Sequence, residues 1–171
     1  MKRLFVLLML LGCIGARAQV RSYSDNAAGT FVVGLDSYFY GQAGSLSFEA
    51  AGQTFQASIG ADGVFLGGQR IGSMPADVVI GIHDFTGDRI PEFVMAQRIN
   101  NAIGIWIYML DGSGGWRPLK MMSVRNATEA RVFRQVVSVR SGEALCSWTW
   151  HGNKFDYKAS DGSLEDEARA F

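Results

Sequence analysis

Val78-Val79-Ile80-Gly81-Ile82-His83-Asp84-Phe85-Thr86-Gly87-Asp88-Arg89-Ile90-Pro91-Glu92-Phe93-Val94-Met95 sets an acidic segment between two apolar runs. The runs are built from Val, Ile, Phe and Met, and the segment between them carries Gly, Pro and Asp, so the stretch reads as strand, loop, strand. Helical periodicity is scarce elsewhere. Short runs of Val, Ile, Phe, Tyr and Trp recur instead, separated by Gly, Asp, Asn and Ser, the pattern of a many-stranded antiparallel protein. Strands are expected near 29–34, 45–50, 53–59, 64–69, 78–84, 92–97, 103–110, 116–124, 131–139, 144–150 and 154–158.

The turns agree with that division. Ala51-Gly52 joins two alternating strands, Ala61-Asp62-Gly63 contains an Asp-Gly pair, and His151-Gly152-Asn153 closes a last hairpin. The chain has 21 glycines and only three prolines. The expected fold is therefore all-β: a single domain of about eleven short antiparallel strands, paired in sequence as a meander, in a sandwich, a barrel or a small propeller-like arrangement. One helical turn is expected at 127–132, where Thr128 is a potential cap.

The ends are read separately. Lys2 and Arg3 precede the apolar run 4–11, and Ala16-Arg17-Ala18 follows as an Ala-x-Ala cleavage signal, so residues 1–18 are expected to be a signal peptide. The competing reading is a lipobox-like Leu10-Leu11-Gly12-Cys13, which would place a lipid anchor at Cys13. Both routes lead to the bacterial periplasm or beyond. Cleavage after Ala18 lowers the 16 basic residues to 13 against 16 acidic ones, a formal charge of −3. That balance argues against a nucleic-acid partner. Cys146 is then the sole cysteine, which excludes an intramolecular disulfide. Residues 19–162 are long enough for one domain with a sizeable core, and 163–171 form an acidic tail expected to be mobile.

Chemistry concentrates in two places. Asp84, Thr86, Asp88 and Glu92 stand at positions 1, 3, 5 and 9 of the acidic segment, with the carbonyl of Ile90 at position 7, and that spacing can wrap a hard cation such as calcium. The plainer alternative is a pair of Asx turns at Asp84 and Asp88. The second place is the hairpin tip Asp111-Gly112-Ser113-Gly114-Gly115-Trp116. A narrow glycine-flanked loop can enter a cleft, with Ser113 available for hydrogen bonding and Trp116 as an anchor. The same residues also make an ordinary glycine-rich turn with Trp116 in the core. Catalysis has little basis, since the two histidines, His83 and His151, accompany no nucleophile motif. Trp148, Trp150, Phe155 and Tyr157 alternate on adjacent strands and are expected to pack as cross-strand pairs in one core.

The stretch His83-Asp84-Phe85-Thr86-Gly87-Asp88-Arg89-Ile90-Pro91-Glu92-Phe93-Val94-Met95 resembles the FG-GAP or VCBS calcium repeat, Asp-x-Asn-x-Asp-Gly-x-x-Asp followed by an apolar strand. By position the resemblance implies side-chain ligands at Asp84, Thr86, Asp88 and Glu92 and a carbonyl ligand at Ile90. Two positions depart from it: Thr86 replaces an Asn or Asp, and Arg89 stands where the repeat has Gly. With Ser113-Gly114-Gly115-Trp116 and the hairpin Trp148-x-Trp150-x-Gly152-Asn153-Lys154-Phe155, the chain also resembles small propeller-like periplasmic inhibitors of peptidoglycan hydrolases. These include invertebrate-type lysozyme inhibitors and immunity proteins against cell-wall-cutting effectors. That resemblance implies a non-enzymatic protein whose Ser113, Gly114 and Trp116 occlude the active site of a peptidoglycan hydrolase. A calcium-binding structural or adhesion module of the cell envelope is the alternative.

Overall fold

The computed structural model describes residues 30–73 and 77–160. The expected signal peptide, Cys13 and the acidic tail lie outside the described residues. Among the described residues the fold is all-β, with fourteen strands in three sheets, none of which closes into a barrel. Strands β3 (Gly44–Ala50), β4 (Gln53–Gly60), β5 (Gly63–Leu66) and β6 (Gln69–Gly72) form one antiparallel meander. A second comprises β7 (Val78–His83), β8 (Glu92–Ile99), β9 (Ala102–Leu110) and β10 (Trp116–Arg125), with β2 (Ser37–Tyr40) added beside β7. The third comprises β11 (Ala127–Phe133), β12 (Val136–Ser141), β13 (Ala144–Trp150) and β14 (Phe155–Ala159). β1 (Val32–Val33) joins its edge parallel to β11, the exception to antiparallel, sequential pairing together with β2.

The sheets stack, with the β7–β10 sheet in the middle. Successive side chains of a strand point to opposite faces, and this sheet buries both. Val79, Val94, Ala96, Ile105 and Ile107 enter one core with Val132, Val137, Val139, Trp148 and Trp150 of the third sheet. Val78, Ile80, Phe93, Met95 and Tyr108 enter another with Leu46, Phe48, Ile59 and Leu66 of the first. This double burial explains why 78–80 and 93–96 read as unbroken apolar runs, since neither face needs a polar row. The aromatic pairs fall as alternation requires: Trp148 lies opposite Tyr157 and Trp150 opposite Phe155, with ring centroids 5.1 and 5.2 Å apart.

Several boundaries differ from the sequence reading, each for a local reason. The stretch 127–132 is no helical turn: Ala130 and Val132 alternate into the core as part of β11, Ala127 joins them across a bulge, and strand pairing on both sides outweighs a Thr cap. The expected strand at 64–69 is broken by Gly67 and Gly68, whose φ values of 57° and 83° reverse the chain between β5 and β6. The expected strand at 131–139 is broken at Arg134, which takes a left-handed φ of 53° without a glycine to announce it. Gly34 meets a stricter demand. Its φ is 95°, and a Cβ there would stand 1.9 Å from the carbonyl oxygen of Val132.

Candidate functional site

Register gathers the chemistry-bearing residues at one end of the central sheet. His83 closes β7 opposite Glu92, which opens β8, so the acidic segment spans that gap. Trp116 opens β10 opposite Leu110, which places the tip of residues 111–115 at the same end. Asp36 precedes β2 there as well, because Ser37 pairs with Ile82. The turn after β11 is tied in by His83, whose Nε2 lies 2.6 Å from the Arg134 carbonyl oxygen. A carbonyl only accepts, so Nε2 carries the proton in that contact. Nδ1 of the same ring faces Asp36 Oδ2 at 3.2 Å, and Asp36 Oδ2 also accepts the N–H of Asp84 at 3.3 Å. Neither Asp36 nor Arg134 is foreseeable from sequence, since they lie 48 and 51 residues from their partners in this end.

The acidic segment is closed by its own backbone. Asp84 accepts the N–H of Gly87 on one carboxylate oxygen at 2.7 Å and that of Arg89 on the other at 3.0 Å. Asp88 accepts the N–H of Ile90 at 2.8 Å. Glu92 turns inward: one oxygen takes the N–H groups of Phe85 and Thr86 at 2.8 and 3.4 Å, and the other faces Thr86 Oγ1 at 3.3 Å. Burial pushes the Glu92 carboxyl up to about 7; the two backbone N–H groups oppose that shift, and the charges of Asp88 and Asp84 add to it. Arg89, standing where the calcium repeat has Gly, adopts a φ of 70°. Phe85 anchors the whole segment, fully buried with its ring edge-on to His83 and Phe155.

Among the described residues no three Asp, Glu, His or Cys side chains converge into a group that could hold a metal ion. Each oxygen of Asp84 accepts one backbone N–H, which closes the turn around this side chain. The segment is thus closed by hydrogen bonds between its own carboxylates and backbone.

The tip is held just as closely. Oδ1 of Asp111 accepts three donors, the N–H of Ser113 at 2.8 Å, the Ser113 hydroxyl at 2.6 Å and the N–H of Gly115 at 3.0 Å. Backbone bonds from Asp111 N–H to Gly115 and from Gly114 N–H to Asp111 complete it, at 2.8 and 3.1 Å. The Ser113 hydroxyl, first among these donors, holds the Asp111 carboxyl below its ordinary range. Residues 112–114 are exposed, so Ser113 and Gly114 stand at the outermost point of a fixed loop. Trp116 is placed differently: its ring is half-buried beneath the tip, 5.2 Å from Phe55 and 5.6 Å from Phe48, and its buried Nε1 has no hydrogen-bond partner among the described residues. It roots the tip in the core between two sheets instead of projecting from it.

No protein-family model matches the sequence, and neither a curated protein nor a solved structure matches it.

Proposed function

We propose that this is a non-catalytic protein of the bacterial periplasm that inhibits a peptidoglycan hydrolase by placing the 111–115 tip in its active-site cleft. The observation that supports this reading is the exposed, internally hydrogen-bonded tip, fixed by Asp111 and rooted by Trp116. A loop already held in its binding shape loses little conformational freedom on association, so a few residues suffice for a tight complex. Ser113 and Gly114 make the contact in this reading. The Ser113 hydroxyl donates its proton to Asp111 and presents its oxygen outward as an acceptor for an acidic or histidine side chain of the enzyme. Trp116 contributes through the position of the tip.

The hydrolase class comes from the resemblance of the tip and last hairpin to periplasmic inhibitors, and the compartment from the leader-like first 18 residues. Immobilised protein should deplete peptidoglycan-clearing activity from an envelope extract of the strain it comes from, or from a solution of invertebrate-type lysozyme. Retention of full activity in both would sink the reading.

A further inference from the structure

The first sheet buries one face against the central sheet and leaves the other in solvent. On β4, Ala57 and Ile59 are buried, whereas Thr54 and Gln56 are exposed and Ser58 is half-buried. Register carries that outer row across the sheet: Gln56 lies opposite Ser47 on β3, Ser58 opposite Phe65 on β5, and Phe65 opposite Arg70 on β6. A cavity of about 460 Å³ opens on this face, walled by Thr54, Gln56, Ser58 and Phe65 and bounded at one end by the Gly67-Gly68 turn. That volume lies within the range of small-molecule sites, roughly 300–1,000 Å³.

The lining selects a class of ligand. It holds no charged side chain. Glu49 stands opposite Thr54 and Arg70 opposite Phe65, one place outside the lining, and the Arg70 Nε–H is donated to the Gly72 carbonyl. The side chains of Thr54, Gln56 and Ser58 make no hydrogen bond among the described residues. Hydroxyl and carboxamide groups both donate and accept, which matches a ligand whose own groups do the same. An anion would call for a cation in the wall. An added peptide strand would call for an unpaired sheet edge, yet β4 and β5 are both interior strands.

We propose that this face is a saccharide-binding site. A sugar ring lies with its C–H face on the Phe65 phenyl, its hydroxyls pair with Gln56, Ser58 and Thr54, and the side-chain-free Gly67-Gly68 turn admits its bulk. Aromatic contact and hydroxyl pairing act together, because a sugar is apolar on its ring face and polar around its rim. The site borders the root of the tip, since a Cβ on Gly67 would lie 3.6 Å from Cδ1 of Trp116. Its ligand nevertheless makes no use of the tip, and the proposal stands apart from the reading of the protein as an inhibitor.

Titration with cellotetraose and with tetra-N-acetylchitotetraose, followed by amide chemical shifts, tests the site. At least one should bind with a dissociation constant of ~1 mM or tighter, with shifts confined to β4, β5 and the 67–68 turn. Phe65→Ala should weaken that binding about tenfold, the loss of one aromatic contact, and Gln56→Ala should weaken it at an exposed position where folding is not at stake. Ser113→Arg, at the tip, should bind sugar as the wild type does. Absence of shifts with both sugars at ~10 mM, shifts elsewhere in the chain, or unaltered binding by Gln56→Ala and Phe65→Ala together would overturn the proposal.

Discussion

Glu92→Gln separates the charge of this side chain from its shape. Glu92 is 3 % exposed, and burial raises its carboxyl from an ordinary 4.5 to about 7. A carboxyl whose folded-state value is raised makes the folded chain hold the proton more tightly than the unfolded chain does. Its contribution is therefore complete below about pH 4.5 and is lost as pH rises through about 7. A displacement of about 2.5 pH units at ~1.36 kcal/mol each amounts to roughly 3 kcal/mol across that window. Glutamine reproduces the protonated form: its oxygen keeps the N–H groups of Phe85 and Thr86, and its amide donates to Thr86 Oγ1, which then turns its proton to Asp84 Oδ1 at 3.4 Å. Urea unfolding of both proteins between pH 5 and pH 8 isolates Glu92, because all other titrating groups are shared. The two should be about equally stable at pH 5, and the variant more stable by roughly 2–3 kcal/mol at pH 8. Equal pH slopes, or a variant weaker at pH 8, would refute the argument and show that the ionised carboxylate is what this loop is built around.

Three further outcomes follow from the geometry. Asp111→Ala removes the acceptor of three bonds at the tip, so amide exchange should accelerate at Ser113 and Gly115 while the melting temperature stays close to that of the wild type. Gly34→Ala should destabilise the protein by ~3 kcal/mol or more in urea unfolding, because its Cβ would collide with the Val132 carbonyl at a φ of 95°. Calorimetry with calcium at pH 8 should give no saturable heat at micromolar concentration; a micromolar site abolished by Asp88→Ala would show that the segment rearranges around the ion.

The sequence reading recovers most of the strands because their alternation and their glycine turns are local properties. The central pair, 78–83 and 92–99, stands out by continuous apolar character, yet that character alone does not tell burial on two faces from one, and so the three-layer stack becomes visible only in the fold. The breaks missed at Gly67-Gly68 and Arg134 have different origins. The glycine pair is a recognisable turn inside an apolar run, whereas Arg134 takes its left-handed φ in the two-residue turn between Phe133 and Val136, with no glycine or asparagine to mark it. β2 is short and owes its existence to pairing with β7, which no local pattern reports. Spacing places the acidic segment and the tip correctly at strand ends, but spacing does not reveal direction. Glu92 turns into the protein and Asp84 and Asp88 turn to backbone donors, whereas Trp116 turns beneath the tip onto the rings of Phe48 and Phe55.

The most direct test of the tip's role is the affinity of Gly112→Arg/Ser113→Arg for the hydrolase that the wild-type protein captures, measured by calorimetry beside the wild type; a Cβ at Gly112 meets nothing within 4 Å. Both positions are exposed and outside either core, so the melting temperature should be nearly unchanged. Affinity should fall by about a hundredfold or more, the loss of a central interface contact worth ~3 kcal/mol. Wild-type affinity in a folded double variant would contradict the account and move the binding surface away from the 111–115 hairpin.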